Sequence, residues 1–500
     1  MTEKSLNCIV PKEVLNITEA LQKAGFEAYL IGGCVRDILR GEKPKDWDIT
    51  TNAKPDEVEK LFPHTFYENE FGTVGVVNEE TEDETLRYVE VTTYRTESDY
   101  KDKRRPSKVV FSSKLEDDLK RRDFTINAIA ISLPTGEEHI HKGQVVDLYG
   151  GQEDLKKKII RTVGSPDERF FEDALRILRA VRLSAELGFT ISQETADGIQ
   201  RNAHNLSHIS KERIRDEFVK ILSSPIPAQA LALADRLGVL KEFLPDLSRG
   251  IGVLQNQAHK YDVWEHNLRS LQHAADKNWP LEIRMSALLH DISKPETRRW
   301  AEEKKDWSFH GHEVVGARLS KKILNDLKFP KDFVDQVSTL VRWHMFFSDP
   351  EQITLSAVRR IVRNVGEENI WKLMDLRVCD RIGTGRPKEQ PYRLRKYKSM
   401  VEEALRSPTS VGMLKIDGNV LQKELGIKPG PKIGYILHAL LEEVLDDPGL
   451  NTEEYLQKRA GEMNALPESE LKKLGQAGKE KKDEEEEKEL KKIRGKYHVE

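Results

Sequence analysis

The chain has 500 residues, enough for about three or four domains, and 38% of them are hydrophobic against 33% charged, as in a soluble, helix-rich, charge-coated protein. The formal net charge is only −4, which excludes a globally basic nucleic-acid binder, so any RNA-binding surface has to be a local patch. No run of about 18 apolar residues is present, and no membrane span is expected. The first residues, MTEKSLNCIVPKE, lack the basic-then-apolar pattern of a secretion signal. Cys8, Cys34 and Cys379 are odd in number and have no metal-site spacing, which favours a reducing cytoplasm over a disulfide framework.

Residues 12–24 carry Val14, Ile17, Ala20, Leu21 and Ala24 at helical spacing and predict an amphipathic helix. A short apolar strand, Ala28 to Ile31, then runs into Gly32-Gly33, followed by a helical segment from Val35 to Arg40 and a second strand carrying Asp46, Trp47 and Asp48. Paired glycines at a strand-to-helix turn let backbone N–H groups approach a phosphate chain, and the helix N-terminus adds a favourable dipole. Asp46 and Asp48, two apart on a strand, point to one face and suit a pair of divalent cations on a nucleoside triphosphate. Together, GGCVRD and DWD make this stretch resemble the nucleotidyltransferase superfamily, specifically the class II tRNA nucleotidyltransferase and bacterial poly(A) polymerase family.

Pro55 opens a helix over DEVEKLF, and strand-like runs follow at Thr73–Val77 and Leu86–Thr93. In the second run Val89 and Val91 take the core side, while Leu86, Tyr88, Glu90 and Thr92 share the other. Glu90 is there either a third carboxylate for the metal pair or a solvated strand residue. The hydrophilic stretch from Thr96 to Leu119 reads as a loop. Its YKDKRRP core resembles the flexible loop of complete CCA-adding enzymes, in which Lys103, Arg104 and Arg105 would reach phosphates and Asp99 and Asp102 would set docking. RRDFTINAIAI, residues 121–131, resembles a further family motif: Arg121 and Arg122 would face the triphosphate and Asp123 the ribose hydroxyls. VDLYGG, residues 146–151, closes the head at a glycine turn.

The segment from Ser165 to Phe189 predicts one long helix with Pro166 near its start and Gly188 near its end. Asp173, Arg176, Arg179 and Arg182 drift along one side of it, a pattern that in an arbitrary helix means a salt-bridged surface. E-D-x-x-R followed by x-x-R-A-x-R resembles the base-reading motif of the family. The resemblance implies that Asp173 and Arg176 read the Watson–Crick edge of CTP or ATP, with Arg179 and Arg182 supporting nucleotide or phosphate. Residues 191–250 read as helices, with Ser210 an N-cap of SKERIRDEFVKIL; Glu212, Arg213 and Arg215 there are either braces or substrate contacts.

After Gly252 the histidines cluster. His266, the adjacent His290-Asp291 pair and Asp380 supply the order H…HD…D, which resembles the HD superfamily of metal-dependent phosphohydrolases. His312 and His344 would hold a second metal, and Lys294 would meet a phosphate. Residues 425–445 resemble a tail element of the family in which a Gly-Pro turn opens a helix; Lys428 and Lys432 beside it serve either an RNA phosphate or plain capping. Residues 477–495 alternate Lys and Glu blocks and suit a solvated helix or disorder.

The fold class expected is an α/β nucleotidyltransferase head, a small mixed sheet with helices, followed by all-α neck, HD and tail regions. The expected domains are a catalytic head over 1–150, a helical neck with base-reading and RNA-binding parts over 151–250, an HD domain over 251–385 and a tRNA-contacting helical tail over 386–500. The resemblance implies template-independent addition of CCA to tRNA 3′ ends from CTP and ATP, with Asp46 and Asp48 binding Mg²⁺ and Gly33, Arg36 and Arg122 holding the triphosphate. The HD site would take a divalent transition metal or Mg²⁺ and add a phosphatase or phosphodiesterase repair activity. An A-adding enzyme or poly(A) polymerase remains the alternative within the family, and a phosphohydrolase centred on the HD region the alternative outside it.

Overall fold

The computed structural model describes residues 5–69, 72–98, 108–134, 141–345, 353–406 and 411–499. The expected loop residues Asp99, Asp102, Lys103, Arg104 and Arg105 lie outside the described residues. The chain packs as two units, one of residues 1–342 with 379–385 and one of 343–378 with 386–500.

The first unit opens with an eight-stranded mixed sheet. Its strands lie in the order Ser5–Cys8, His141–Asp147, Ile129–Ser132, Ala28–Ile31, Asp48–Thr51, Tyr88–Thr93, Thr73–Val77 and Thr65–Asn69. The pairs are antiparallel except for one, where Asp48–Thr51 runs parallel to Tyr88–Thr93. Alternation decides the two faces: Ile49, Val74, Val76, Val89 and Val91 are buried in one core with Val14, Ile17 and Leu21 of the helix Lys12–Lys23. The opposite face of the central strands carries Asp48 and Glu90.

Three local readings in the head change. The stretch from Thr96 to Leu119, read as a loop, has Arg95–Ser98 paired antiparallel with Lys108–Phe111 and a helix over Leu115–Lys120. The strand bearing the carboxylates begins at Asp48, and Asp46 stands exposed in the bend before it. The ladder starts where the Trp47 carbonyl accepts from Glu90 N at 3.2 Å, so Asp46 has no strand partner. Leu86 belongs to a short 3-10 turn, Glu84–Leu86, and the strand itself is Tyr88–Thr93.

The expected helix over 165–189 is two helices, Pro166–Glu172 and Leu175–Leu187. They part at Asp173, whose extended backbone (φ −145°, ψ 103°) frees its carboxylate to accept from Leu175 N at 3.0 Å. A residue that caps the next helix with its own side chain competes with helical continuity. Phe170, Ile177, Leu178 and Val181 join Phe218, Ile221, Leu271 and Leu288 in one core that runs from the neck helices into those bearing the HD residues. Two small strand pairs interrupt the helices: Ile159–Ile160 beside Thr190–Ile191, and a hairpin of Arg299–Ala301 with Asp306–Ser308.

In the second unit Pro431–Asp446, opened by Gly430 and with proline in its first turn, packs along Glu468–Lys496. Ile436, Leu440, Leu441, Leu456 and Leu471 are buried between the helices. The Lys/Glu-rich segment thus forms a helix. Among the described residues no helix is long and apolar enough to cross a membrane.

Candidate active site and metal centre

Gly32 caps the helix Gly33–Arg40 with φ 81°, a left-handed conformation that glycine adopts without penalty. A Cβ built there would lie 3.1 Å from Asp48 Oδ2 and 3.2 Å from an Arg122 Nη1, so a carboxylate and a guanidinium flank the turn. The sequence singled out Gly33; the conformational constraint falls on its neighbour. Asp48 and Glu90 are register partners on adjacent parallel strands, which brings a second carboxylate to the same face. Cys34 beneath them is buried, and burial, reinforced by Asp48, pushes its thiol up to about 12; it is a packing group, with Sγ 3.1 Å from the Ile31 carbonyl.

The basic residues expected on the triphosphate are held by partners that the sequence reading passed over. Asp118, fully buried, accepts from Arg121 Nε and Nη2 at 2.9 and 2.6 Å and pairs with Arg122 Nη2 at 3.2 Å. Burial alone would raise the Asp118 carboxyl, and the two guanidinia reverse that and lower it. The signal was present, because Asp118 stands three and four residues before the two arginines on a helical stretch. Asp123 is gripped by Arg179 through Nε and Nη2 at 2.7 and 2.6 Å, and Asn127 Nδ2 donates to it at 3.4 Å. Burial opposes ionisation of Asp123, but Arg179 and Arg176 outweigh it and bring its carboxyl down to about 2. Arg36 donates to Asp37 at 2.9 Å and to Asn127 Oδ1 at 3.1 Å, which joins the glycine turn to the Arg122-Asp123 turn.

On the neck helices Arg213 Nη2 donates to Asp173 Oδ2 at 2.7 Å, so one arginine of the E-R-I-R segment orients the expected base-reading carboxylate. Arg176 is fixed by Glu172 at 2.9 Å and by the Arg121 carbonyl at 2.9 Å. Arg182 pairs with Glu217 and Glu186, both at 2.7 Å, and braces two neck helices together. Arg215 donates to the Lys328 carbonyl.

The second cluster is buried. His266 Nε2 lies 2.9 Å from His290 Nε2, 3.1 Å from Asp291 Oδ2 and 3.5 Å from Asp380 Oδ1. His290 Nε2 lies 3.4 Å from Asp291 and 3.9 Å from Asp380. Bonds of about 2.1 Å from one cation would set neighbouring donors about 3.0 Å apart in an octahedral shell and about 3.4 Å in a tetrahedral one, so this donor set fits a divalent ion. His290 Nδ1 donates to the Ala287 carbonyl at 2.9 Å, which presents Nε2 to the cluster. His312 Nε2 adds a further nitrogen 3.3 Å from Asp291 Oδ1. His344 follows the helix Lys331–Trp343 and belongs to the second unit.

Lys294 Nζ turns inward, 2.5 Å from Asp291 and 2.6 Å from Gln255 Oε1. His259, absent from the sequence reading, offers a ring nitrogen close enough to share an ion with His266 and Asp291. It sits in an irregular segment seven residues before His266, where no periodicity marks it.

Family models match three stretches: the poly A polymerase head domain over 28–161, the probable RNA and SrmB-binding site of polymerase A over 188–251, and the HD domain over 263–384. The chain is 35% identical over 451 residues to a CCA-adding enzyme of Geobacillus thermodenitrificans, covering 89% of this chain and 95% of that one. The chain belongs to the CCA-adding enzyme family. Another member, from Ligilactobacillus salivarius, is 33% identical over 90% of this chain and 96% of its own. Among solved structures, a Bacillus stearothermophilus CCA-adding enzyme in complex with CTP superposes with a TM-score of 0.58 at 29% identity, over 90% of this chain and 97% of that one.

Proposed function

We propose that the protein completes tRNA 3′ ends by adding CCA from CTP and ATP without a nucleic-acid template. The observation that carries this is the Asp48–Glu90 pair on one sheet face, beside a left-handed Gly32 turn flanked by Arg122. Asp46 and Asp48, joined by Glu90, would hold Mg²⁺. When bound there, the ions would supply activation of the RNA 3′-hydroxyl and neutralisation of charge on the transferring phosphate. The Gly33 amide, Arg36 and Arg122 meet the triphosphate, Asp123 the ribose, and Asp173 with Arg176 the base. Arg179 and Arg182 act as positioning residues, the first through Asp123 and the second through Glu217. Under this reading residues 1–150 are the catalytic head, 151–250 the neck, 251–385 the HD region and 386–500 a tail that grips the tRNA by shape and phosphates.

The test is end extension of three tRNAs, ending before CCA, after C and after CC, with CTP alone, ATP alone or both. Two C additions, one A addition and then arrest are expected. Addition of A to the CC-ended tRNA alone would make the protein an A-adding specialist, and long A tails would make it a poly(A) polymerase; either overturns the proposal.

A second activity is favoured by the buried His266, His290, Asp291 and Asp380 donors: metal-dependent hydrolysis of phosphate esters at damaged RNA ends. Lys294 there pairs with Asp291 and would meet a substrate phosphate.

A further inference from the structure

The face of the sheet that carries the carboxylates does not end with them. Cross-strand register makes one continuous row: Asp48 partners Glu90, Glu90 partners Gly75, and Gly75 partners Phe66. At about 4.8 Å per strand the row extends from the proposed metal ligands to the sheet edge in three steps. Gly75 has no side chain, and the Phe66 ring occupies the space: a Cβ on Gly75 would overlap that ring. The outer end of the ring therefore sits over Gly75 on the third strand, one step from Glu90. Tyr88, two residues before Glu90 and on the same face, meets Phe66 edge to face with ring centroids 6.0 Å apart. Both rings are open to solvent, Phe66 at 40% and Tyr88 at 53%.

We infer that Phe66 and Tyr88 form a stacking platform for the terminal nucleobase of the RNA that is being extended. Two arguments select that occupant. In the sheet, the strand bearing Asp48 has the expected triphosphate elements on one side, the Gly32-Gly33 turn after Ala28–Ile31 and the Arg122-Asp123 turn before Ile129–Ser132. Phe66 and Tyr88 lie on the other side. In-line phosphoryl transfer requires the attacking hydroxyl and the leaving pyrophosphate on opposite sides of the phosphorus, so the 3′-hydroxyl has to arrive from the Phe66 side. A ring one strand step from Glu90, about 4.8 Å, is also at the distance of a base from its own 3′-hydroxyl. Stacking on aromatic rings accepts any base, which suits an end that changes from the discriminator nucleotide to C as addition proceeds.

The inference rests on the nucleotidyltransferase reading, and the test separates the two. Full-length protein, with Phe66→Ala, Tyr88→Ala and the double variant, would extend two tRNAs ending in CC, one intact and one whose last nucleotide is abasic but keeps its 3′-hydroxyl. In the unaltered protein, loss of the base should lower kcat/KM for the tRNA about tenfold. In the double variant the intact tRNA should be extended about tenfold more slowly, and removing the base should then cost little, while the KM for ATP stays unchanged. Phe66→Tyr and Tyr88→Phe, which keep the rings, should restore the sensitivity to the base. An abasic penalty equal in the unaltered and double-variant proteins would overturn the platform and leave the nucleotidyltransferase reading standing. Extension of neither tRNA by the unaltered protein would overturn both.

Discussion

Asp123 ties the head to the neck, because Arg179 of the helix Leu175–Leu187 reaches it with two nitrogens. Its folded carboxyl lies at about 2 against an ordinary 3.8, so the charge pair stabilises the fold fully above pH ~4 and the contribution is lost as pH falls toward 2. The shift corresponds to about 2 kcal/mol. Unfolding in urea across that window should show the unaltered protein losing about this much more stability than Asp123→Asn; parallel pH curves would contradict the pairing. Much of this scale was legible in the sequence: RRD marked Asp123, and E-D-x-x-R marked Asp173 and Arg176. Their partners were not, because Arg213 lies 40 residues beyond Asp173 and Arg179 lies 56 beyond Asp123. Only the fold closes such gaps. Within the HD region H…HD…D was readable, whereas His259 and Gln255 come from a segment with no repeating pattern.

Elements depend on where glycine permits close approach. In the second unit a Cβ on Gly478 would overlap the His438 carbonyl oxygen, and one on Gly475 would lie 2.7 Å from Tyr435 Cα. The helices Glu468–Lys496 and Pro431–Asp446 therefore meet backbone to backbone. Gly478→Ala should force them apart at a cost of about 1–3 kcal/mol, read as a lower urea midpoint. Gly495→Ala in the same helix meets nothing within 4 Å and should be neutral or slightly stabilising. Equal effects of the two would contradict the close crossing. From sequence this helix was a charged segment with no apolar stripe to predict its packing; the small residues that allow the crossing resemble breakers in isolation. The break at Asp173 was hidden in the opposite way. The apolar spacing continues through it, and only the capping side chain interrupts the helix.

At the scale of the molecule two candidate centres coexist, one of carboxylates on a sheet face and one of buried histidines and aspartates between helices. Net charge gave no indication of either, since 81 basic residues nearly balance 85 acidic ones. The order of motifs did, because each centre draws its residues from its own stretch of chain. The most direct measurement is to assay both activities on the same preparations of two variants, Asp48→Ala and His290→Ala. Extension of tRNA with CTP and ATP would be followed at single-nucleotide resolution, and hydrolysis of a 2′,3′-cyclic phosphate RNA end would be followed in parallel. The account predicts that Asp48→Ala abolishes extension and retains hydrolysis, and that His290→Ala does the reverse. Retention of extension by Asp48→Ala, or loss of both activities from either change, would contradict it.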